Sequence, residues 1–174
     1  MNEEIRNKIE NFAREKAKIK TENNYDFFEV HINTVRNFAL ELAEKENADK
    51  DVVEIAALLH DVGRSVQSEG HAKFSVKLSE PLLKSLNVPK LDLILDCIGK
   101  HGIECLNENN PIEVKIIQSA DALSLFYSKE WIKTITKEHG KDFMIGCIKG
   151  KCKKITIDSA SKIAEDHFKK VIME

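Results

Sequence analysis

Residues 55–59 read Ile-Ala-Ala-Leu-Leu and run without a break into His60-Asp61-Val62-Gly63-Arg64. An apolar run of this kind is typical of a helix buried among other elements. The fold must therefore surround it and still find a place for a carboxylate at its end. A carboxylate buried without a partner costs several kcal/mol, so Asp61 calls for a counter-charge or a metal ion. Adjacent side chains on a helix point about 100° apart. One ion can still sit between His60 and Asp61 near a helix terminus, and Gly63 reads as that terminus. The pair looks like half of a metal site whose other half comes from elsewhere in the chain.

With 174 residues the chain is long enough for one domain with a real core, expected to span 1–174. Only 7 glycines and 3 prolines interrupt a composition rich in helix formers, so the expected class is an all-α, single-domain helical bundle. The net charge of -2, with both signs interspersed, announces neither a nucleic-acid partner nor a membrane surface. No apolar run approaches the roughly 20 residues of a membrane span, and no export signal is visible, so a cytoplasmic location is expected. Cys97, Cys105, Cys147 and Cys152 lack the spacing of a disulfide framework and read as reduced thiols. A zinc clasp on Cys147 and Cys152 would need a second ligand pair nearby, which the sequence does not offer.

Along the chain, Ile5, Ile9, Phe12, Ala13 and Ile19 give an amphipathic helix over 2–20, broken at Asn23-Asn24. Asp26 caps a second helix over about 26–46, which carries His31, Val35, Phe38 and Leu42 on one stripe. Asp51 with Glu54 matches a capping box and opens the third helix. After the polar loop 64–70, His71, Phe74, Ser75, Leu78 and Leu82 share one face of a fourth helix that Pro81 should kink or split. Pro89 starts a fifth, in which Ile94, Ile98 and His101 align before Gly102. Past Pro111, Ile117, Asp121 and Leu125 fall at i, i+4 and i+8, which puts a carboxylate on an apolar face. A helix bearing Trp131, a stretch at 141–153 and a last helix over 157–172 complete the chain.

His31, His60, Asp61, His71, His101 and Asp121 thus all occupy core-facing or helix-end positions. Any lone histidine there is most simply a hydrogen-bonded core residue. Four of the chain's six histidines together with two aspartates are not explained that way. The other two, His139 and His167, lie among charged residues and are expected in solvent. Imidazole and carboxylate ligands suit Mn²⁺, Fe²⁺, Co²⁺, Ni²⁺ or Zn²⁺, with Mg²⁺ also compatible.

The ordered set His31 in VHINTVRNFALELA, His60-Asp61 in AALLHDVGR and Asp121 in IIQSADALS resembles the HD-domain metal-dependent phosphohydrolases. The resemblance spans about 25–127, leaving 128–174 as C-terminal helices packed on the domain. It implies a helical bundle, a divalent cation held by His31, His60, Asp61 and Asp121, and hydrolysis of phosphate esters or anhydrides, commonly of nucleotides, by a metal-activated water. In family members with extra histidines before the last Asp a second metal binds, and His71 and His101 stand in such positions. Two readings follow. In one, Asp61 bridges two ions, with His31, His60 and Asp121 on the first and His71 and His101 on the second. In the other, simpler because four ligands already close a site, one ion binds and His71 and His101 serve the substrate phosphate or donate protons. There is no Gly-Tyr-Pro signature after the HD pair, nor the Glu-Asp pair of the alarmone hydrolases. The resemblance is to the small stand-alone branch.

For the chemistry, Asp61 is expected to orient or deprotonate the water, and Arg64 to clamp a phosphate, since guanidinium matches its geometry. Lys77 and Lys100 are further substrate-binding candidates, and Glu69 a candidate base. The expected partner is a small phosphorylated substrate such as a nucleotide, and nothing specifies an oligomeric state. The rival from another class is a regulatory module that binds metal or nucleotide without turnover. A missing ligand would have favoured it, and none is missing.

Overall fold

The computed structural model describes residues 1–19 and 25–173. They form one all-α domain with no strand among the described residues. The break expected at Asn23-Asn24 lies outside them. The helices are α1 (Glu3–Lys16), α2 (Asn33–Lys45), α3 (Lys50–Leu59), α4 (His71–Ser85), α5 (Leu91–Gly99), α6 (Ile112–Ser124), α7 (Lys129–His139), α8 (Lys141–Cys152) and α9 (Asp158–Met173). None of the described helices is long and apolar enough to cross a membrane.

The apolar run that opened the sequence is the centre of the molecule. Every residue of α3 from 52 to 59 is buried, and α1, α2, α5 and α6 all pack against it. Fully burying one such leucine contributes about 2 kcal/mol, so α3 ties the other helices to a common core. Its one buried charge, Glu54, is met by Arg6 of α1 and Arg36 of α2. Arg36 also pairs with Glu10 at 3.1 Å, so α1, α2 and α3 are joined by ions as well as by packing. Glu54 is therefore a tie between helices and not half of a capping box. The N-cap of α3 is Asp49, whose side chain accepts from the amides of Asp51 and Val52. Asp51 instead meets the Met1 amine at 2.5 Å.

Three further expectations change. His31 does not continue a regular helix from 26; it lies in a single π-helical turn, Phe28–Ile32, that precedes α2 and re-aims its ring. Asp26 does cap that turn, accepting from the amides of Phe28 and Glu29. Pro81 does not split α4, because it lies on the exposed side, where water can serve the carbonyl of Lys77 that lost its donor. The buried face of α4 is Ser75, Ser79 and Leu83, with Phe74, Leu78 and Leu82 half-buried beside it. Those small serines let α4 come close to the turn after α3.

Gly63 is part of that approach and not a helix stop. After Leu59 the chain enters a short 3-10 turn, Val62–Ser65, packed against α4. A Cβ on Gly63 would lie 2.2 Å from the His71 carbonyl oxygen and 2.4 Å from the Ser75 amide. The Gly63 amide also donates to Ser75 Oγ at 2.9 Å. Absence of a side chain there seats the start of α4, and with it His71, beside His60 and Asp61.

Candidate metal centre

The six residues singled out above come together at one end of α3. Asp61 Oδ2 lies 3.1 Å from His31 Nε2 and 3.7 Å from His60 Nε2. Its other oxygen, Oδ1, lies 2.8 Å from His71 Nε2 and 3.6 Å from His101 Nε2. Asp121 Oδ1 stands 3.5 Å from His31 Nε2. Two compact donor groups result among the described residues: His31, His60 and Asp121 on one side, and Asp61, His71 and His101 on the other. Asp61 faces both through its two oxygens.

Proton bookkeeping on the imidazoles tests whether this set fits a cation. His60 Nδ1 donates to Ala57 O at 2.8 Å, His71 Nδ1 to Ser68 O at 2.9 Å and His101 Nδ1 to Ile98 O at 2.7 Å. A carbonyl only accepts, so each Nδ1 carries the proton. Ser124 gives its hydroxyl proton to Asp121 O, which leaves Oγ to accept from His31 Nδ1 at 3.2 Å. In their neutral form all four rings thus present a bare Nε2 lone pair to the centre. Those lone pairs meet at 3.2 Å between His31 and His60 and at 3.0 Å between His71 and His101. Facing lone pairs at that range repel unless a cation lies between them. Asp61 Oδ1, fully buried, has no hydrogen-bond donor at all. The donor set fits divalent cations, and three backbone carbonyls and the Ser124 hydroxyl fix the tautomers that such ions need.

The electrostatics agree. Burial pushes His60 down to about 3, which keeps it neutral with its Nε2 lone pair free. Burial raises the carboxyl of Asp61, but the surrounding imidazoles, His60 foremost and then His101, His31 and His71, outweigh it and hold the group well below the usual carboxylate range. Asp121 is likewise lowered against its burial, chiefly by Lys154 and then His31 and His60.

Lys154 is the residue that sequence reading missed. It is buried, lies at the end of α8, and places its ammonium on Asp121 Oδ2. The run Lys-Gly-Lys-Cys-Lys-Lys reads as solvated charge, and only the apolar Ile155 and Ile157 that follow hint otherwise. Gln118, also buried, donates to Lys100 O at 2.7 Å and so anchors the residue before His101 to the helix of Asp121. Arg64 sits on the centre, its Nε 2.6 Å from Asp61 Oδ2. The other cations do not join it. Lys77 is exposed above the Phe74 ring, Lys100 pairs with Asp96 at 2.7 Å, and neither borders the clefts described next. Glu69 is exposed and also away from them.

An open cleft of about 590 Å³ reaches His71 and His101 from one side, and a smaller one of about 230 Å³ reaches His31 and Asp61 from the other. Arg64, Asp121, Trp131 and Lys151 border both. Of the two outlying histidines, His139 is half-exposed, as expected. His167 is half-buried and not simply solvated: it bonds Tyr127 and donates from Nδ1 to Ile163 O at 2.9 Å. All four cysteines are free thiols, and none joins either donor group.

The molecule is thus an all-helical domain with paired His/Asp donor groups, able to hold cations, at the end of a buried helix. The sequence pattern of the HD domain matches residues 29–125, more than half the chain, and the chain belongs to the HD domain family. Among solved structures it is similar to a predicted HD superfamily hydrolase from an uncultured Thermotogales bacterium, with a TM-score of 0.72 and 23% identity over 96% of this chain and 87% of that one. A Lactobacillus plantarum protein gives a TM-score of 0.64 and 17% identity over 99% of this chain and 93% of that one. At those identities the likeness speaks for the fold. No curated protein matches the chain.

Proposed function

We propose that the chain is a divalent-cation-dependent phosphohydrolase of nucleotides or related phosphate esters and anhydrides, with two cations that Asp61 would share. The observation that carries this reading is the set of four Nε2 lone pairs gathered in two pairs, one about each oxygen of Asp61. His31, His60 and Asp121 would hold the first ion, and His71 and His101 the second. This choice prefers two ions over one, because a single ion leaves either His31–His60 or His71–His101 as facing lone pairs. When bound, such ions supply Lewis-acid polarisation of a phosphoryl oxygen and a water of lowered pKa.

The protein's own groups position and neutralise. Asp61 orients donors on both sides, and Lys154 holds Asp121. Arg64 is half-buried between the clefts, where its guanidinium can meet a phosphate. Trp131 and Ile103 offer flat apolar surface on the larger cleft for a nucleobase. Residues 128–174 belong to the same domain in this reading, since α8 and α9 pack on α6 and Lys154 reaches Asp121. Four unpaired thiols suit a reducing cytoplasm. A regulatory module without turnover would not need two complete donor groups.

The test joins metal content to turnover. After chelation and reloading, elemental analysis should find two Mn²⁺ per chain, and one in the His71→Ala/His101→Ala variant. A panel of nucleotides and generic phosphoesters should show metal-dependent phosphate release. Arg64→Ala should lose about 10²–10³ in rate while keeping its metal, the effect of one positioned charged donor. One ion in both proteins would falsify the two-ion centre. No release from any substrate with Mn²⁺, Fe²⁺, Co²⁺, Ni²⁺, Zn²⁺ or Mg²⁺ would leave the regulatory module standing.

A further inference from the structure

The larger cleft has a wall that the metal centre leaves unused. Cys147, Gly150 and Lys151 line it at i, i+3 and i+4, the spacing of one face of α8, and Lys153 and Lys154, in the turn just past the helix, join them. Lys154 is committed to Asp121. Lys151 and Lys153 are exposed, and no ion pair of theirs occurs among the described residues. Lysines in the last turn of a helix commonly answer its dipole. That accounts for Lys149, which borders neither cleft. The dipole gives no reason for Lys151, in the same last turn, and Lys153, just past it, to border the cleft in a chain whose net charge is -2.

Charge on the two sides of the cleft is unequal. Arg64 answers Asp61 and Lys154 answers Asp121, so the side chains of the centre are balanced in pairs. On the α8 side, Lys151 and Lys153 stand against Glu104 alone. A second observation points the same way. A glycine within a helix is disfavoured relative to alanine and is normally kept for close packing. At both glycines of α8, Gly146 and Gly150, an added Cβ would meet nothing within 4 Å beyond the helix itself, so no neighbouring protein atom requires either, and Gly150 is the one that borders the cleft. The open space above Gly150 belongs to the cleft, where a bare backbone leaves room for a ligand beside Lys151.

We propose that this face of α8 is a subsite for a second phosphate group. The substrate then carries at least two linked phosphates, one at the ions and the next against Lys151 and Lys153, as in a nucleoside diphosphate or a longer chain. Lys151 also borders the smaller cleft. This assignment rests on the phosphohydrolase reading above and narrows its substrate.

The experiment uses the fluorescence of the chain's one tryptophan, Trp131, which borders both clefts. The full-length protein, with Mg²⁺ in excess and metal content checked in parallel, is titrated with orthophosphate, pyrophosphate, adenosine monophosphate and adenosine diphosphate. Two added charge-assisted contacts should make pyrophosphate bind about tenfold tighter than orthophosphate, with the same ratio for the diphosphate over the monophosphate. In Lys151→Ala/Lys153→Ala each ratio should fall to about 2 or less, the size of weak, screened surface interactions. Gly150→Leu should lower the ratios in the same way by filling the cleft, with a Tm no lower than that of the parent. A ratio near one in the parent, or an unchanged ratio in the double variant, overturns the subsite. The two readings separate cleanly. Turnover of a phosphoester with a flat ratio removes the subsite and keeps the hydrolase, whereas the expected ratios with no turnover of any substrate keep the subsite and remove the hydrolase.

Discussion

Asp121 has two oxygens with different neighbours, and Lys154 decides which one faces the centre. With the ammonium on Oδ2, Oδ1 is left toward His31. Outer groups that orient a ligand commonly tune metal affinity by about 10–100-fold, and Lys154→Met should weaken binding of the first ion by that order, with partial recovery in Lys154→Arg. Competition against a chelating dye measures it. Binding as tight as the parent's, or tighter, would make Lys154 a rival of the ion and not its ally. The contrast with the histidines shows what single residues reveal. His31, His60, His71, His101, Asp61 and Asp121 were legible because ionisable groups on apolar stripes are costly enough to need a reason. Lys154 was not, because lysines in a run look alike until one is seen to be buried. Lys77 and Lys100 lie close in sequence to His71 and His101, yet Lys77 is exposed above the Phe74 ring and Lys100 pairs with Asp96.

Among the elements, the short turn after α3 is the least forgiving. A Cβ at Gly63 would press on two backbone atoms, neither of which can rotate aside. Gly63→Ala should therefore cost about 1–3 kcal/mol, the usual range for overpacking, read as a lower denaturant midpoint. It should also weaken metal binding, since the turn carries Asp61 and abuts His71. A variant with parental stability and parental metal affinity would show that the turn can slide. Most of the helix order was written in the 3.6-residue periodicity, while α8 stood in the sequence only as an unassigned stretch at 141–153. Local signals that need a distant partner were not written there. Asp49 and Asp51 both look like caps, and what separates them is that Asp51 meets Met1, 50 residues away. Glu54 matched a capping box by spacing, yet its partners are Arg6 and Arg36 on two other helices. The π-helical turn under His31 likewise depends on packing that no window of a few residues contains.

For the molecule as a whole, the matched family segment stops at 125, while the cleft takes Trp131, Lys151, Lys153 and Lys154 from beyond it. Three histidines of the centre share one device: each donates from Nδ1 to the carbonyl three residues earlier, at Ala57, Ser68 and Ile98. Two of those carbonyls belong to the last turns of α3 and α5, where helices otherwise fray. The same bond therefore finishes a helix and selects a ligand, and loading the centre must slow the opening of those helix ends. Hydrogen–deuterium exchange can watch this happen. Amides at 60–64 and 99–102 should exchange about tenfold or more slowly once Mn²⁺ is bound, while those in the middle of α3 keep the rate set by global unfolding. Equal rates with and without the ion would mean that the two roles of the bond are independent. If they are coupled, the cell's supply of metal sets how long the frame of the site stays closed, and a chain starved of it would fray first at the ends of α3 and α5, where proteases would find it.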